Sequence, residues 1–422
     1  MNYARFFTNI TNRRKTSMLR DLTSKFMKTE NGISLATGMP NAKMFPFEEI
    51  VVTYKGGVKI TLAGEELAWS LQYGPSQGYR PLLEKMRQFQ EYWHKPVQNH
   101  WDILVTSGSM EACSMVLEMV IDIGDPIMVQ VPTYEGILNA VRKFSMLAPL
   151  IPEFIDIAQD QDGIIPENIM KVCEKRIRSG KPMPKLLYVN PTGANPTGTV
   201  LTESRRRRIY ELAEMYNFLI LEDDPYCFLH FVDSKPTTFL ELDSSGRVIR
   251  LDSFSKVLSA GLRLGVVTAN KEIIGKLIKH MTTTSMHASS LSQMLLLKFL
   301  DTWGLEGKQQ HFNDVQNFYR ERRDIMLSII EKHLTGLAEW NVPKAGMFFW
   351  IRIKKMKDVM ELASKKCTSQ KIFLIPGHAF NYDRSKPDAH LRLCYSYATP
   401  EEIDKALSTL AKLIREEIKN ED

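Results

Sequence analysis

Short apolar runs alternate with longer amphipathic stretches through the middle of this chain, and that alternation points to an α/β fold with a mostly parallel sheet. The candidate strands are Ile103–Thr106, Ile127–Val131, Leu186–Val189, Phe218–Leu221, Val248–Leu251 and Leu264–Thr268. Between them Met110–Ile121 and Glu203–Tyr216 carry apolar residues at helical spacing. After about Glu306 the pattern changes to a long charged helix over Gln309–His333, strands near Met347–Ile353 and Leu391–Tyr395, and a last helix over Pro400–Ile418. A chain of 422 residues is long enough for two domains. The reading is an arm and segment at 1–47 that packs with the small domain, a large domain at 48–306, and a small α+β domain at 307–422.

Several classes of protein are disfavoured early. No uninterrupted apolar stretch reaches the roughly 18 residues that span a bilayer. The five cysteines are scattered and lack CxxC spacing, which argues against a disulfide framework or a structural zinc site. The histidines, His287 and His378 among them, show no metal spacing and read as structural or surface residues. A net charge of +6 over such a length does not indicate nucleic acid and suits small anions equally well. Arg205 to Arg208 follow Thr202 and Glu203 at a helix start and read as a solvated face, with Arg207 and Glu211 one turn apart. The N-terminus carries Arg5, Arg13, Arg14, Lys15 and Arg20 with no acid before Asp21. That pattern fits a mitochondrial transit peptide and fits a basic arm of the folded protein equally, so mitochondrion and cytoplasm both stay open.

The informative polar residues fall where strands end, as expected when one ligand lies at the carboxyl edge of a sheet. Ile103–Thr106 runs into Ser107-Gly108-Ser109, which opens the next helix and offers free N–H groups to a phosphate. Ile127–Val131 leads to Pro132-Thr133-Tyr134 and sets an aromatic ring at that edge. Leu186–Val189 leads to a rigid loop with two Asn-Pro pairs and two glycines, which aims Asn195 inward. Phe218–Leu221 gives Glu222-Asp223-Asp224-Pro225-Tyr226, and an acid at a buried strand end needs a partner. Val248–Leu251 gives Asp252-Ser253-Phe254-Ser255-Lys256, followed by Gly261, Arg263 and Gly265. Singly, each group has a structural explanation, such as an exposed lysine or a salt-bridged arginine. Their recurrence at strand ends does not.

With Ser253–Gly265, Asn195-Pro196-Thr197-Gly198 and Asp223-Asp224-Pro225-Tyr226 in this order, the chain resembles the class I/II aminotransferases of pyridoxal-phosphate (PLP) fold type I. The likeness runs from Met1-Asn2-Tyr3-Ala4-Arg5-Phe6 through Gln72–Gly78 to Leu391-Arg392. It is strongest to the branch that acts on L-kynurenine and L-2-aminoadipate. The resemblance implies a mostly parallel sheet with helices on both faces, a smaller α+β domain, and a homodimer with shared active sites. It implies that Lys256 holds PLP as a Schiff base and shuttles the proton, that Asp223 pairs with the ring nitrogen, and that Tyr226 and Asn195 bond the ring oxygen. Tyr134 would stack on the ring. Ser109, Met110 through its backbone, Ser253, Ser255 and Arg263 would hold the phosphate, joined by Tyr73 from the neighbouring subunit. Arg392 would grip the substrate α-carboxylate, Gly38 would let substrate approach the backbone, and Arg20 would meet a distal carboxylate.

The chain departs from its nearest kin at three positions. Met110 stands for a glutamine, Glu135 for a serine and Thr37 for a glycine. The activity implied is transfer of an amino group from an L-amino acid to a 2-oxo acid such as 2-oxoglutarate. A broad aromatic aminotransferase and a PLP-dependent β-eliminating lyase are the alternatives. A PLP-binding regulator would need a DNA-binding segment, and only about thirty residues precede the family-like region.

Overall fold

Runs of Val, Ile and Leu without alternation belong to strands buried on both faces. In the computed structural model, which describes residues 1–30, 32–36, 38–146 and 153–421, they form such strands. Leu186–Val189 and Leu219–Asp223 are buried at every position. The backbone divides into two compact units, one of Met1–Asp122 with Leu240–Gln309, the other of Ile123–Phe239 with Gln310–Asp422.

In the first unit Gly265–Asn270 lies between Trp101–Thr106 and Val248–Ser253 and runs antiparallel to both. The short connection from Ser253 to Gly265 explains the direction, since a parallel return needs a longer crossover. The strands of this unit are therefore antiparallel and not parallel as the mostly parallel expectation had them. The chain start packs inside the first unit as well. Tyr3 donates to the Gly246 carbonyl at 2.8 Å, Phe6 is fully buried, and Arg14 meets Glu118 at 3.3 Å.

The second unit pairs Glu153–Asp160, Pro126–Val131, Leu186–Val189 and Leu219–Asp223 in parallel, in that spatial order. The Glu153–Asp160 strand escapes the sequence reading because its alternation is interrupted by Asp156 and Gln159. The same unit holds an antiparallel sheet of Ala338–Trp340, Phe348–Ile353, His390–Cys394 and Ile375–Pro376. Ile351, Ile353, Leu391 and Leu393 from that sheet share a core with Ile330, Leu407, Leu410 and Ile414 from helices. The charged helix expected at Gln309–His333 is part of a longer helical run, Ser290–Leu334, broken at Gly304 where φ is +55°.

The reading of Arg205 to Arg208 as a solvated face needs correction. Arg206 is fully buried, on the same helix face as Ile209 and Ala213. It donates to the carbonyls of Leu201 and Pro191 and lies 3.7 Å from buried Glu222. Arg205 grips Asp160 at 2.6 Å, and Arg207 pairs with Glu203 rather than Glu211, which takes Arg208.

Candidate active site

In the first unit the site grows from a helix start. Gly108, at φ +91°, precedes the helix Ser109–Val120, whose opening N–H groups receive no side-chain cap. Such groups gather partial positive charge and favour an anion. Ser109 and Met110 supply two of them, both half-buried. Glu111 takes the N–H of Ser107 at 2.6 Å and fixes the turn. Arg263, itself at φ +52°, reaches the same turn: it bonds the Ser255 hydroxyl at 3.3 Å and the Ser107 carbonyl at 3.5 Å. A Cβ on Gly108 would lie 2.5 Å from the Arg263 guanidinium, and one on Gly265 would lie 2.8 Å from the Gly108 backbone. Only glycines let these segments close. Ser253 accepts the Ser255 N–H at 3.3 Å, and half-buried Lys256 follows in the next turn.

Around this cradle the other expected residues of the unit are placed less tightly. Tyr73 is exposed and lies edge-on to His287, whose Nε2 accepts the Gly74 N–H at 3.2 Å. Gly38 is exposed, with no atom within 4 Å of where its Cβ would stand. Arg20 lies in the helix Met18–Lys28, but its side chain falls outside the described residues, as does Thr37.

The second unit collects the remaining polar groups. Asp223 closes its strand fully buried, and the Tyr188 hydroxyl donates to its Oδ2 at 2.8 Å. Asn190 ties two loops together: its amide donates to the Asp223 carbonyl at 2.7 Å and accepts the Asn195 N–H at 2.8 Å. Tyr226 is buried against Phe348, and burial pushes its phenol well above the ordinary tyrosine range, so it remains a neutral donor. Arg392 donates to Asn195 Oδ1 at 2.9 Å, and its guanidinium lies over the rings of Phe348 and Phe380 at 4.2 and 5.1 Å. Burial lowers its pKa from the ordinary value, yet a guanidinium keeps its charge at neutral pH. Tyr134, Tyr226 and Glu135 all lie close enough to be felt by Arg392. The extra charge of Glu135 is met by Arg384 at 2.7 Å.

Tyr188, Asn190 and Arg384 were not singled out from sequence. Tyr188 alone left a signal, because a phenol in an otherwise apolar buried strand requires a hydrogen-bond partner. Buried His378 pairs with Asp358 at 3.0 Å. Among the described residues no group of three or more His, Cys, Asp or Glu is arranged to hold a metal ion, and no helix is long and apolar enough to cross a membrane.

Within the first unit, an anion cradle followed by a lysine has the chemistry that the phosphate and carbonyl of PLP would need; within the second, a buried acid and a neutral phenol have the chemistry that its ring nitrogen and ring oxygen would need. The family model for aminotransferase class I and II matches residues 69–410. The chain belongs to the class I and II aminotransferases. It is 42% identical to the mitochondrial kynurenine/alpha-aminoadipate aminotransferase of Bos taurus, covering 99% of this chain and 100% of that one. Among solved structures it is similar to aminotransferase Aro8 from Candida albicans, with a TM-score of 0.88 at 26% identity over 99% of both chains. It is also similar to Pyrococcus horikoshii kynurenine aminotransferase in complex with PMP, with a TM-score of 0.77 at 28% identity over 99% of this chain and 98% of that one. The fold is PLP fold type I, and this aminotransferase is a PLP-dependent transaminase. The β-eliminating lyase alternative is not favoured.

Proposed function

We propose that this aminotransferase takes the amino group of L-kynurenine and L-2-aminoadipate and passes it to a 2-oxo acid such as 2-oxoglutarate. The observation that carries this reading is Arg392, a half-buried guanidinium held by Asn195 between two aromatic rings. A planar fork of donors suits an α-carboxylate, and the 42% identity to the kynurenine/alpha-aminoadipate aminotransferase of Bos taurus supports the choice of amino donors.

The remaining roles follow from the same groups. Bound PLP supplies the sink for the electron pair left when the substrate Cα loses its proton. Lys256 is the base whose Nζ carries that proton. The carboxylate of Asp223 would pair with the ring nitrogen, Tyr226 and Asn195 would donate to the ring oxygen, and Tyr134 would stack on the ring. Ser109, the Met110 N–H, Ser253, Ser255 and Arg263 would hold the phosphate. Gly38 and Arg20 would serve the substrate.

Tyr73 serves the site of a second copy, so the active form is a homodimer. Exposure of Ile33 (93%), Leu35 (99%) and Met44 (82%) in one stretch of the first unit supports a covering partner. The mitochondrial name of the Bos taurus relative supports that compartment.

A half-reaction with a panel of amino acids tests the substrate assignment. Kynurenine and 2-aminoadipate should convert bound PLP to pyridoxamine phosphate, followed by absorbance. If they fail while phenylalanine and tyrosine react, the enzyme is a broad aromatic aminotransferase.

A further inference from the structure

The run Leu186-Leu187-Tyr188-Val189 is buried at all four positions, so a phenylalanine at 188 would avoid placing a hydroxyl where water cannot reach. The hydroxyl that is there has a defined target. Tyr188 pairs with Leu221 in the parallel ladder. Side chains alternate along a strand, so Leu221 and Asp223 share the face toward which Tyr188 leans. Its phenol donates to Asp223 Oδ2 at 2.8 Å. The Asp223 backbone is fixed separately, through its carbonyl and the Asn190 amide at 2.7 Å. The strand and Asn190 thus hold the backbone of Asp223, and the Tyr188 phenol holds one oxygen of its carboxylate.

We propose that Tyr188 is a positioning residue for the cofactor: its phenol orients the Asp223 carboxylate and stabilises it as the anion, which keeps the shared proton on the ring nitrogen. The inference rests on the transaminase reading, in which Asp223 meets that nitrogen. Donation to a carboxylate makes it a weaker base. In an acid–base pair across one hydrogen bond, the proton stays with the stronger base. Without the phenol, the carboxylate competes better for the proton, and the ring becomes a poorer electron sink.

The test uses full-length holoenzyme loaded with ¹⁵N-ring-labelled PLP, in wild type, Tyr188→Phe and Asp223→Asn forms. At pH 8 the wild-type ¹⁵N shift should report a protonated ring nitrogen and Asp223→Asn an unprotonated one. Tyr188→Phe should move part of the way toward the latter. Its kcat/KM should fall about 10- to 100-fold, the range set by a hydrogen bond to a charged group. A packing role alone would lower thermal stability and leave the ¹⁵N shift unchanged. Replacing Tyr188 by 3,5-difluorotyrosine, a stronger donor with the ring retained, gives a second readout should the phenylalanine variant not fold. It should hold the ¹⁵N shift at or beyond the wild-type position toward protonation. A Tyr188→Phe shift that superimposes on wild type, or a difluorotyrosine shift toward the unprotonated value, overturns the inference. A wild-type chain that takes up no PLP overturns the transaminase reading and this inference with it.

Discussion

Replacing Arg206 by methionine removes a buried guanidinium at the root of the loop that carries Asn195. Arg206 is fully buried and donates to the Leu201 carbonyl at 2.9 Å, the Pro191 carbonyl at 3.1 Å and the Thr192 hydroxyl at 3.3 Å. Its Nη1 lies 3.7 Å from Glu222, also fully buried, which accepts the Phe239 N–H at 2.8 Å. Methionine fills similar space, so cavity formation is a minor part of the effect. The major part is Glu222, a fully buried carboxylate that loses the guanidinium beside it. Breaking a buried ion pair on one side costs about 3–5 kcal/mol, a figure that includes the hydrogen bonds lost with the arginine. The assay is urea unfolding of Arg206→Met and of the double variant Arg206→Met/Glu222→Gln. Glutamine keeps the acceptor for Phe239 and discards the charge, so the double variant should recover about 2 kcal/mol of the loss. A single-variant loss under about 1 kcal/mol, or a double variant no more stable than the single, would refute the buried-pair reasoning.

Gly265→Ala should weaken PLP binding about tenfold or more, measured by fluorescence titration, because its Cβ would meet backbone 2.8 and 2.9 Å away at Gly108 and Ser109, where nothing flexible can yield. Lys256→Ala should abolish turnover yet still bind PLP noncovalently; a variant with normal turnover would remove Lys256 from the chemistry. Stability should also fall in acid. Hydrogen bonds from Arg176 and Arg205 hold Glu153 and Asp160 below the ordinary carboxylate range in the fold. Groups depressed in this way contribute fully above about pH 5 and lose that contribution as pH falls from about 4 toward their folded values. Urea midpoints should therefore agree at pH 7 and 5.5 and drop at pH 3.5. Arg176→Gln should flatten the part due to Glu153.

The sequence by itself determined the parts of this protein that are written locally. Apolar runs without alternation located strands such as Leu186–Val189, because burial on both faces demands that pattern. The Ser107-Gly108-Ser109 turn and the Ser253–Lys256 loop were legible because each group sits at a strand end, where backbone geometry puts ligands. The tertiary structure decided what depends on distant partners. It set the antiparallel course of Gly265–Asn270, since direction is fixed by pairing and not by hydrophobic pattern. It buried Arg206 while its three arginine neighbours stayed in ion pairs, a difference that needs the carbonyls of the Asn195 loop to appear beneath one helix face. It gave Glu135 a counter-charge in Arg384, which lies 249 residues away along the chain. And it joined Tyr188 to Asp223 through a hydrogen bond that neither residue announces, because a strand's neighbour is chosen by the fold and only then can a phenol find its acid.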